Sequence, residues 1–377
     1  MHLNNIADNR LRRIVFVSTK RRGIAAEHIR LKYFADALSR AGYNVYIHYI
    51  DYSILKKLSY WSIHLYKTNF IPYPLYKVLE KADLVIATVP PLHNAIFSYH
   101  VCKETNKLLI VDIRDIWEEY ALSSRAPVHK LLKKFNLLER IIKEFYNCLN
   151  YAHYIITTTE KMKTYYMTKV SKEIIVIPNG TDPDVIKCPG SVQRSIDIVY
   201  LGNFNYPYQA VEFLIESLRY SKLKTYIVGD GKYLKKYLRL AKQYGLLNSI
   251  ITFTGRVNYT SLSDILCQAK VGVVGRPFQP SPEYLYTIPV KVYDYLAAGL
   301  PIIGYGPRNS AVEEFICTRS IGVYISKKDP LTMASASANL VNYSDKYRGK
   351  ARSLALLYDR KRISLKILDI VMKLFTK

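Results

Sequence analysis

Acidic side chains are scarce in this sequence: 30 Asp and Glu face 55 Lys and Arg over 377 residues, a formal net charge of +25. That balance favours an anionic partner, whether nucleotide phosphates, lipid headgroups or nucleic acid. Charge alone does not choose among these, and a uniformly basic proteome would give the same excess. Long apolar runs are missing too: no stretch approaches the ~20 residues a helix needs to cross a bilayer. The opening, MHLNNIADNRLRRIVFVSTK, holds no signal-peptide core. Cysteine is sparse. Cys102, Cys148, Cys188, Cys267 and Cys317 are odd in number and scattered, without the spacing of a metal or redox pair. The expectation is a reduced, cytoplasmic protein. With 49% hydrophobic residues, the chain can build real cores, and its length suits two domains.

What is present is alternation. Strand-like runs at 13–18, 43–50, 83–91, 107–115, 153–159 and 173–180 are separated by helix-like segments. Residues 129–152 among these read as one long helix. Such alternation predicts parallel strands with crossover helices. Residues 180–194, GTDPDVIKCPGSVQR, break the pattern as a linker. The alternation then restarts at 196–202, 223–231, 249–257, 270–275, 302–304 and 321–326. The expected fold class is α/β, with one domain over 1–180, a linker over 181–194 and a second domain over 195–355. Two open parallel sheets that face each other would enclose a cleft at the carboxyl ends of their strands.

The most informative segment is IPVKVYDYLAAGLPII, 288–303. Val290, Tyr293 and Leu296 form an apolar helical face. Gly299 suits a helix C-cap, and Pro301 follows where a helix cannot continue. Lys291 and Asp294 lie three apart near the start of that helix. A cation beside helix N-terminal amides can hold phosphate, and an acid one turn on can hold sugar hydroxyls, which suits a nucleotide-sugar site. An ordinary surface helix with one Lys and one Asp is the competing reading. A second basic stretch, STKRRGIAAEHIR (18–30), follows the first strand. Arg22 and Arg30 there, with Gly23 permitting close backbone approach, are candidates to contact a phosphate of donor or acceptor. A solvated charge run is the alternative.

Four segments of the second half, LGNF (201–204), VGDG (228–231), FTGRV (253–257) and PVKVYDYLAAGLPII (289–303), occur in order over about 100 residues. Together they resemble a retaining glycosyltransferase of the GT-B fold, of the large family usually called family 4 or group 1. VPPLHNA (89–95), IVDIRDIWEE (110–119), YAHYIITTTE (151–160) and VIPNGTD (176–182) resemble, more loosely, the branch that modifies lipid-linked or cell-surface sugars. The resemblance implies two Rossmann-like domains and a C-terminal helix, within 356–377, that crosses back to the N-terminal domain. It assigns Lys291 to the donor diphosphate and Asp294 to the ribose. Arg256 and Val257 would border the base, and Gly202 and Asn203 lie in the first donor loop. The family's paired glutamates stand eight apart. Tyr286 occupies the first place here, with Glu283 as a substitute from a shifted loop. The first loop, GNFNYPYQ, lacks the usual Arg and Lys, so further phosphate charge is expected from Arg256. In the N-terminal half the family often carries His then Asp where this chain has Arg114 and Asp115. Arg stays protonated and cannot be a base. Asp115 is therefore the candidate base, with His93 competing and Arg114 a candidate phosphate or acceptor contact.

The implied reaction moves a hexose from a nucleotide sugar to a lipid-linked or glycan acceptor, with retention, without a metal and without a cofactor beyond the donor itself. A basic nucleic-acid-binding protein is the alternative class, although no recognition motif supports it. The same fold glycosylating nucleic acid or epimerising a nucleotide sugar are further alternatives. Residues 126–149 add a basic amphipathic pattern. Leu131, Leu132, Phe135, Leu138, Ile142 and Phe145 are flanked by Lys130, Lys133, Lys134, Arg140 and Lys143. That pattern suits peripheral attachment to an anionic inner membrane face; packing on the sheet is the alternative.

Overall fold

The computed structural model describes residues 12–19, 26–51, 73–124, 127–189, 192–206 and 209–376. The chain forms two compact units, Met1–Pro178 with Lys361–Lys377, and Asn179–Arg360. Each is built on a six-stranded parallel sheet.

In the first unit the strands are β1 (Arg13–Thr19), β2 (Asn44–Ile50), β3 (Leu84–Val89), β4 (Leu108–Ile113), β5 (Tyr154–Thr157) and β6 (Ile174–Val176). Their order is β2-β1-β3-β4-β5-β6, so the chain reverses its direction of winding between β1 and β3. Residues 14–19 of β1 and all of β3 are buried, which is why both read as nearly unbroken apolar runs. Helices α1 (Ala26–Arg40) and α2 (Leu92–Thr105) follow β1 and β3. The basic stretch after β1 is helical from Ala26. Lys20 to Ala25, with Arg22 and Gly23, lie outside the described residues.

The long helix expected over 129–152 is two helices. After α3 (Trp117–Ser123) come α4 (Pro127–Lys134) and α5 (Leu137–Tyr151), broken at Phe135 and Asn136. Asn136 takes a left-handed φ of 53°, which ends the first helix. Leu137, Leu138, Ile141, Phe145, Cys148 and Leu149 of α5 are buried, so this apolar face belongs to the protein interior. Phe135 is 58% exposed at the break.

In the second unit the strands are β7 (Ile196–Asn203), β8 (Thr225–Asp230), β9 (Ile251–Gly255), β10 (Ala269–Gly275), β11 (Ile302–Tyr305) and β12 (Gly322–Ile325). Their order, β12-β11-β10-β7-β8-β9, is the Rossmann order, with its switch point between β7 and β10. Helix α6 (Tyr259–Gln268) precedes β10, and α7 (Val290–Ala297) precedes β11. Tyr295 of α7 pins the switch point: its hydroxyl accepts from Leu201 N and donates to Val273 O, both at 2.9 Å. Gly272 is required beneath it, because a Cβ there would stand 2.4 Å from the Tyr295 ring.

The last helix, α8 (Lys366–Phe375), buries Ile367, Ile370, Val371 and Leu374 in the core of the first unit beside Phe16, Leu38 and Tyr43. The expectation of unpaired cysteines is overturned. Cys188 and Cys267 form a disulfide that ties the segment after Asn179 to the end of α6. The two cysteines are separated by 79 residues, and no local spacing reveals their meeting.

Candidate active site

The site is clearest at the switch point of the second sheet. Lys291 stands in the first turn of α7, and its ammonium donates to Gln209 Oε1 at 3.2 Å. It also lies 4.2 Å from the centroid of the Tyr200 ring. Tyr200 donates to the Gln209 carbonyl at 2.8 Å, holding the amide under the lysine. Burial first, and then the positive charge of Arg276, push the Lys291 pKa well below its ordinary value. A half-buried ammonium whose charged form is disfavoured in this way gains from an anion beside it. Gly202 pairs in register with Gly229, and a Cβ on Gly229, whose φ is +140°, would stand 1.9 Å from the Gly202 carbonyl oxygen. Asn203 Oδ1 accepts from Asn205 N at 3.2 Å, closing the loop after β7.

Asp294 follows Lys291 by one turn, as its spacing requires, but its surroundings differ from those of a ribose-binding acid. It is 4% exposed. Its Oδ1 accepts from Thr181 Oγ1 at 2.9 Å and Tyr259 OH at 3.2 Å, and Arg360 Nη2 lies 3.8 Å away. Arg360 also donates to Tyr259 OH at 2.9 Å. Thr181 and Arg360 lie beside the two places where the chain passes between units. Their backbones pair there: Thr181 N donates to Tyr358 O and Arg360 N to Thr181 O. Asp294 therefore anchors these crossings inside the second unit. Burial raises its pKa, against the lowering effects of Arg360, Thr181 and Tyr259.

Arg256 is not brought to Lys291. It is exposed beyond β9, two strands from β7. Val257 packs against the core. The positive charge that acts on Lys291 is that of Arg276, the residue after β10, which sequence reasoning missed. The side chain of Glu283 lies outside the described residues. The linker carries one Asp-x-Asp spacing, Asp182-Pro183-Asp184, and Asp182 Oδ1 accepts from Asp184 N at 3.0 Å within its own turn. Among the described residues no group of three His, Cys, Asp or Glu side chains is placed to hold a metal.

In the first unit, Asp115 is exposed at the bend after β4, where its carbonyl accepts from Trp117 N at 3.0 Å. Arg114 is buried and turned to the loop after β3, donating to Pro90 O at 3.2 Å. His93 begins α2, and burial lowers its pKa to about 4, so it is neutral at pH 7. Arg30 does not form a solvent-facing cationic loop. Its guanidinium is buried against Asp112, with Nη2 to Oδ1 at 3.0 Å, and donates to the carbonyls of Ile177 and Pro178. Its charge is already paired, so its observed role is to join α1, β4 and the chain after β6.

Sequence reasoning also missed Glu118, in α3. It is 1% exposed and accepts from Tyr166 OH at 2.8 Å, while its Oε2 has no hydrogen-bond partner among the described residues. Burial raises its pKa to about 7, so near neutrality this carboxyl can hold or release a proton. The signal was present in the IRDIWEE run, but the sequence does not show which of the two glutamates points inward. Among the described residues no helix is long and apolar enough to cross a membrane.

Residues 195–343 match the family described as Glycosyl transferases group 1. No curated protein matches the sequence. Among solved structures, the chain is similar to Anabaena HepE in complex with UDP, at 14% identity and a TM-score of 0.69, covering 96% of this chain and 100% of that one. It is similar to a glycosyltransferase from Rickettsia africae, at 14% identity and a TM-score of 0.68, over 97% of this chain and 99% of that one. The lipopolysaccharide outer core galactosyltransferase WaaB is similar at 14% identity and a TM-score of 0.64, over 96% and 99%. The resemblance in the sequence, the match in the second unit and the two Rossmann-like units agree: the chain has the GT-B fold, and its second unit carries a domain of the Glycosyl transferases group 1 family.

Proposed function

We propose that the second unit binds a nucleotide-sugar donor and that the enzyme transfers the sugar to a lipid-linked or other cell-surface glycan acceptor, with retention and without a metal. The observation that carries the donor assignment is Lys291, held half-buried at the switch point between Gln209 and the Tyr200 ring. HepE, of the same fold, has been seen with UDP and with UDP-glucose, which makes uridine nucleotides the first probes. Charge placed against the leaving diphosphate is the largest service such a site can give to the transition state. Thermal shift with a panel of nucleotide sugars tests the reading. A ligand at 100 times its dissociation constant stabilises by ~2.7 kcal/mol, and a flat response to every nucleotide sugar and nucleoside diphosphate would remove it.

On the first unit, Asp115 is the proposed base that takes or orients the acceptor proton. Its exposure after β4 leaves its carboxylate reachable, whereas a histidine with a pKa of about 4 is a weak proton acceptor. Asp115→Asn is expected to abolish most transfer and to leave nucleoside diphosphate affinity unchanged. Activity lost in His93→Ala but kept in Asp115→Asn would reverse the assignment.

A membrane-surface acceptor is supported by the net charge and by the α4 end, where exposed Phe135 stands among Lys130 and Lys134. Each basic residue near an anionic leaflet contributes ~1 kcal/mol. Cosedimentation with anionic vesicles should fade with salt and drop when Lys130 and Lys134 become Glu. Equal retention of that variant would exclude this contact.

A further inference from the structure

Two carboxyls and three phenols meet beside the turn that carries Asp115. That turn closes where Trp117 N donates to Asp115 O at 3.0 Å, and α3 begins there. The exits of β4 and β5 are neighbours, with Ile113 paired to Thr157, and β5 leads into the helix Glu160–Met167, capped by Thr159. From that helix Tyr166 donates to Glu118 Oε1 at 2.8 Å and Tyr165 to Glu119 Oε1 at 2.6 Å. Tyr146 of α5 reaches the same Glu118 oxygen from 3.5 Å. Helix α4 holds the rest of α3: Lys133 donates to the carbonyls of Leu122 and Ser124, and the His129 ring meets Trp117 edge-on at 5.5 Å. Burial first, and then Lys133, lower the His129 pKa. Glu118 is the buried member of this set, and its Oε2 has no hydrogen-bond partner among the described residues. Among the groups that act most strongly on it none is a cation, and Glu119 opposes its charge. Ionised, it would be a buried charge with one short hydrogen bond from a side chain; as the neutral acid it costs far less.

We propose that Glu118 is a positioning residue: as a neutral acid clamped by Tyr166 and Tyr146 it seats α3 and the Asp115 turn, and losing its proton to solvent loosens both. Its bearing on catalysis rests on the reading of Asp115 as the base; its bearing on the turn does not. Burial, which raises the Glu118 pKa to about 7, sets where the change falls. The sign follows. A carboxyl with a raised folded pKa stabilises the fold while it is protonated, and that contribution is lost as pH rises through the folded value. The hydrogen bond that closes the turn, Trp117 N to Asp115 O, is the one that should weaken first, because it joins the turn directly to α3.

The test follows the full chain across neutral pH in two ways. Hydrogen exchange read by mass spectrometry reports peptides spanning 114–123. Tryptophan emission reports Trp117 alone once Trp61, the other of the two tryptophans, is replaced by Phe. In the wild type, protection of 114–123 should fall and the Trp117 emission should move to the red, both with a midpoint near 7. Glu118→Gln, neutral at every pH, should show neither change, while any transition that belongs to His129 persists in it. Tyr166→Phe removes a hydrogen bond that favours the carboxylate and should move the midpoint to higher pH. The same transition in Glu118→Gln, or none in the wild type, overturns the proposal. Should Glu118→Gln fail to fold, Tyr166→Phe decides, and an unmoved midpoint there overturns it. Transfer that survives Asp115→Asn would remove the base reading and leave these measurements as they stand, so the two readings fail separately.

Discussion

Lys291→Ala lowers turnover at least tenfold, while the protein without ligand melts no earlier than its parent. The two halves of this result have one cause. Tenfold is about 1.4 kcal/mol of transition-state stabilisation, and one charge-assisted contact to a leaving diphosphate is of that size or larger. The same ammonium is a burden before the donor arrives, because burial and Arg276 both disfavour its charged form. A lysine whose folded pKa lies below its unfolded value makes stability rise with pH between those two values. The parent should therefore gain stability with pH over that window, and Lys291→Ala should lack this slope. Initial rates with a donor analogue and melting curves across pH measure both. Unchanged turnover in a folded variant would remove Lys291 from the site. A melting temperature that drops sharply at all pH values would make it a structural residue.

The sheets were legible in the sequence for a physical reason. Strands such as RIVFVS and LVIATV are covered on both faces, so they are continuous apolar runs bounded by helices, and their order of appearance dictates parallel crossovers. Lys291 was legible because proline, a short helix, Gly299 and Pro301 frame it within a dozen residues. What was not legible depends on residues far apart in the chain. Arg276 and Lys291 lie 15 positions apart with another short helix between them, and only the β7–β10 switch point brings their charges together. The break in the expected long helix turned on one left-handed asparagine inside an otherwise helical pattern. Periodicity gave Asp294 its place on α7 but not the direction of its carboxylate, since its partners Thr181 and Arg360 enter from opposite ends of the second unit.

That direction sets the second large effect. Asp294→Ala is expected to destabilise the protein by ~3 kcal/mol, the usual scale for removing one partner of a buried ion pair. The loss leaves the Arg360 guanidinium, 5% exposed, without its carboxylate, and takes the acceptor from the Thr181 and Tyr259 hydroxyls. Asp294→Asn should be much milder. Its side-chain carbonyl still accepts from Thr181. The charge it lacks is also one that the fold does not favour, because burial raises the Asp294 pKa despite Arg360. The sign follows from that shift. A carboxyl with a raised folded pKa stabilises the fold while it is protonated, and that contribution is lost as pH rises through the folded value. The Asn variant should lack this loss. Urea denaturation of the full chain at several pH values, with UDP titration beside it, separates anchoring from ligand contact. Anchoring requires a lower denaturation midpoint in Asp294→Ala and UDP affinity kept in Asp294→Asn. Wild-type stability in both variants with UDP binding lost would return Asp294 to the ribose and leave the chain crossings held by backbone pairing alone.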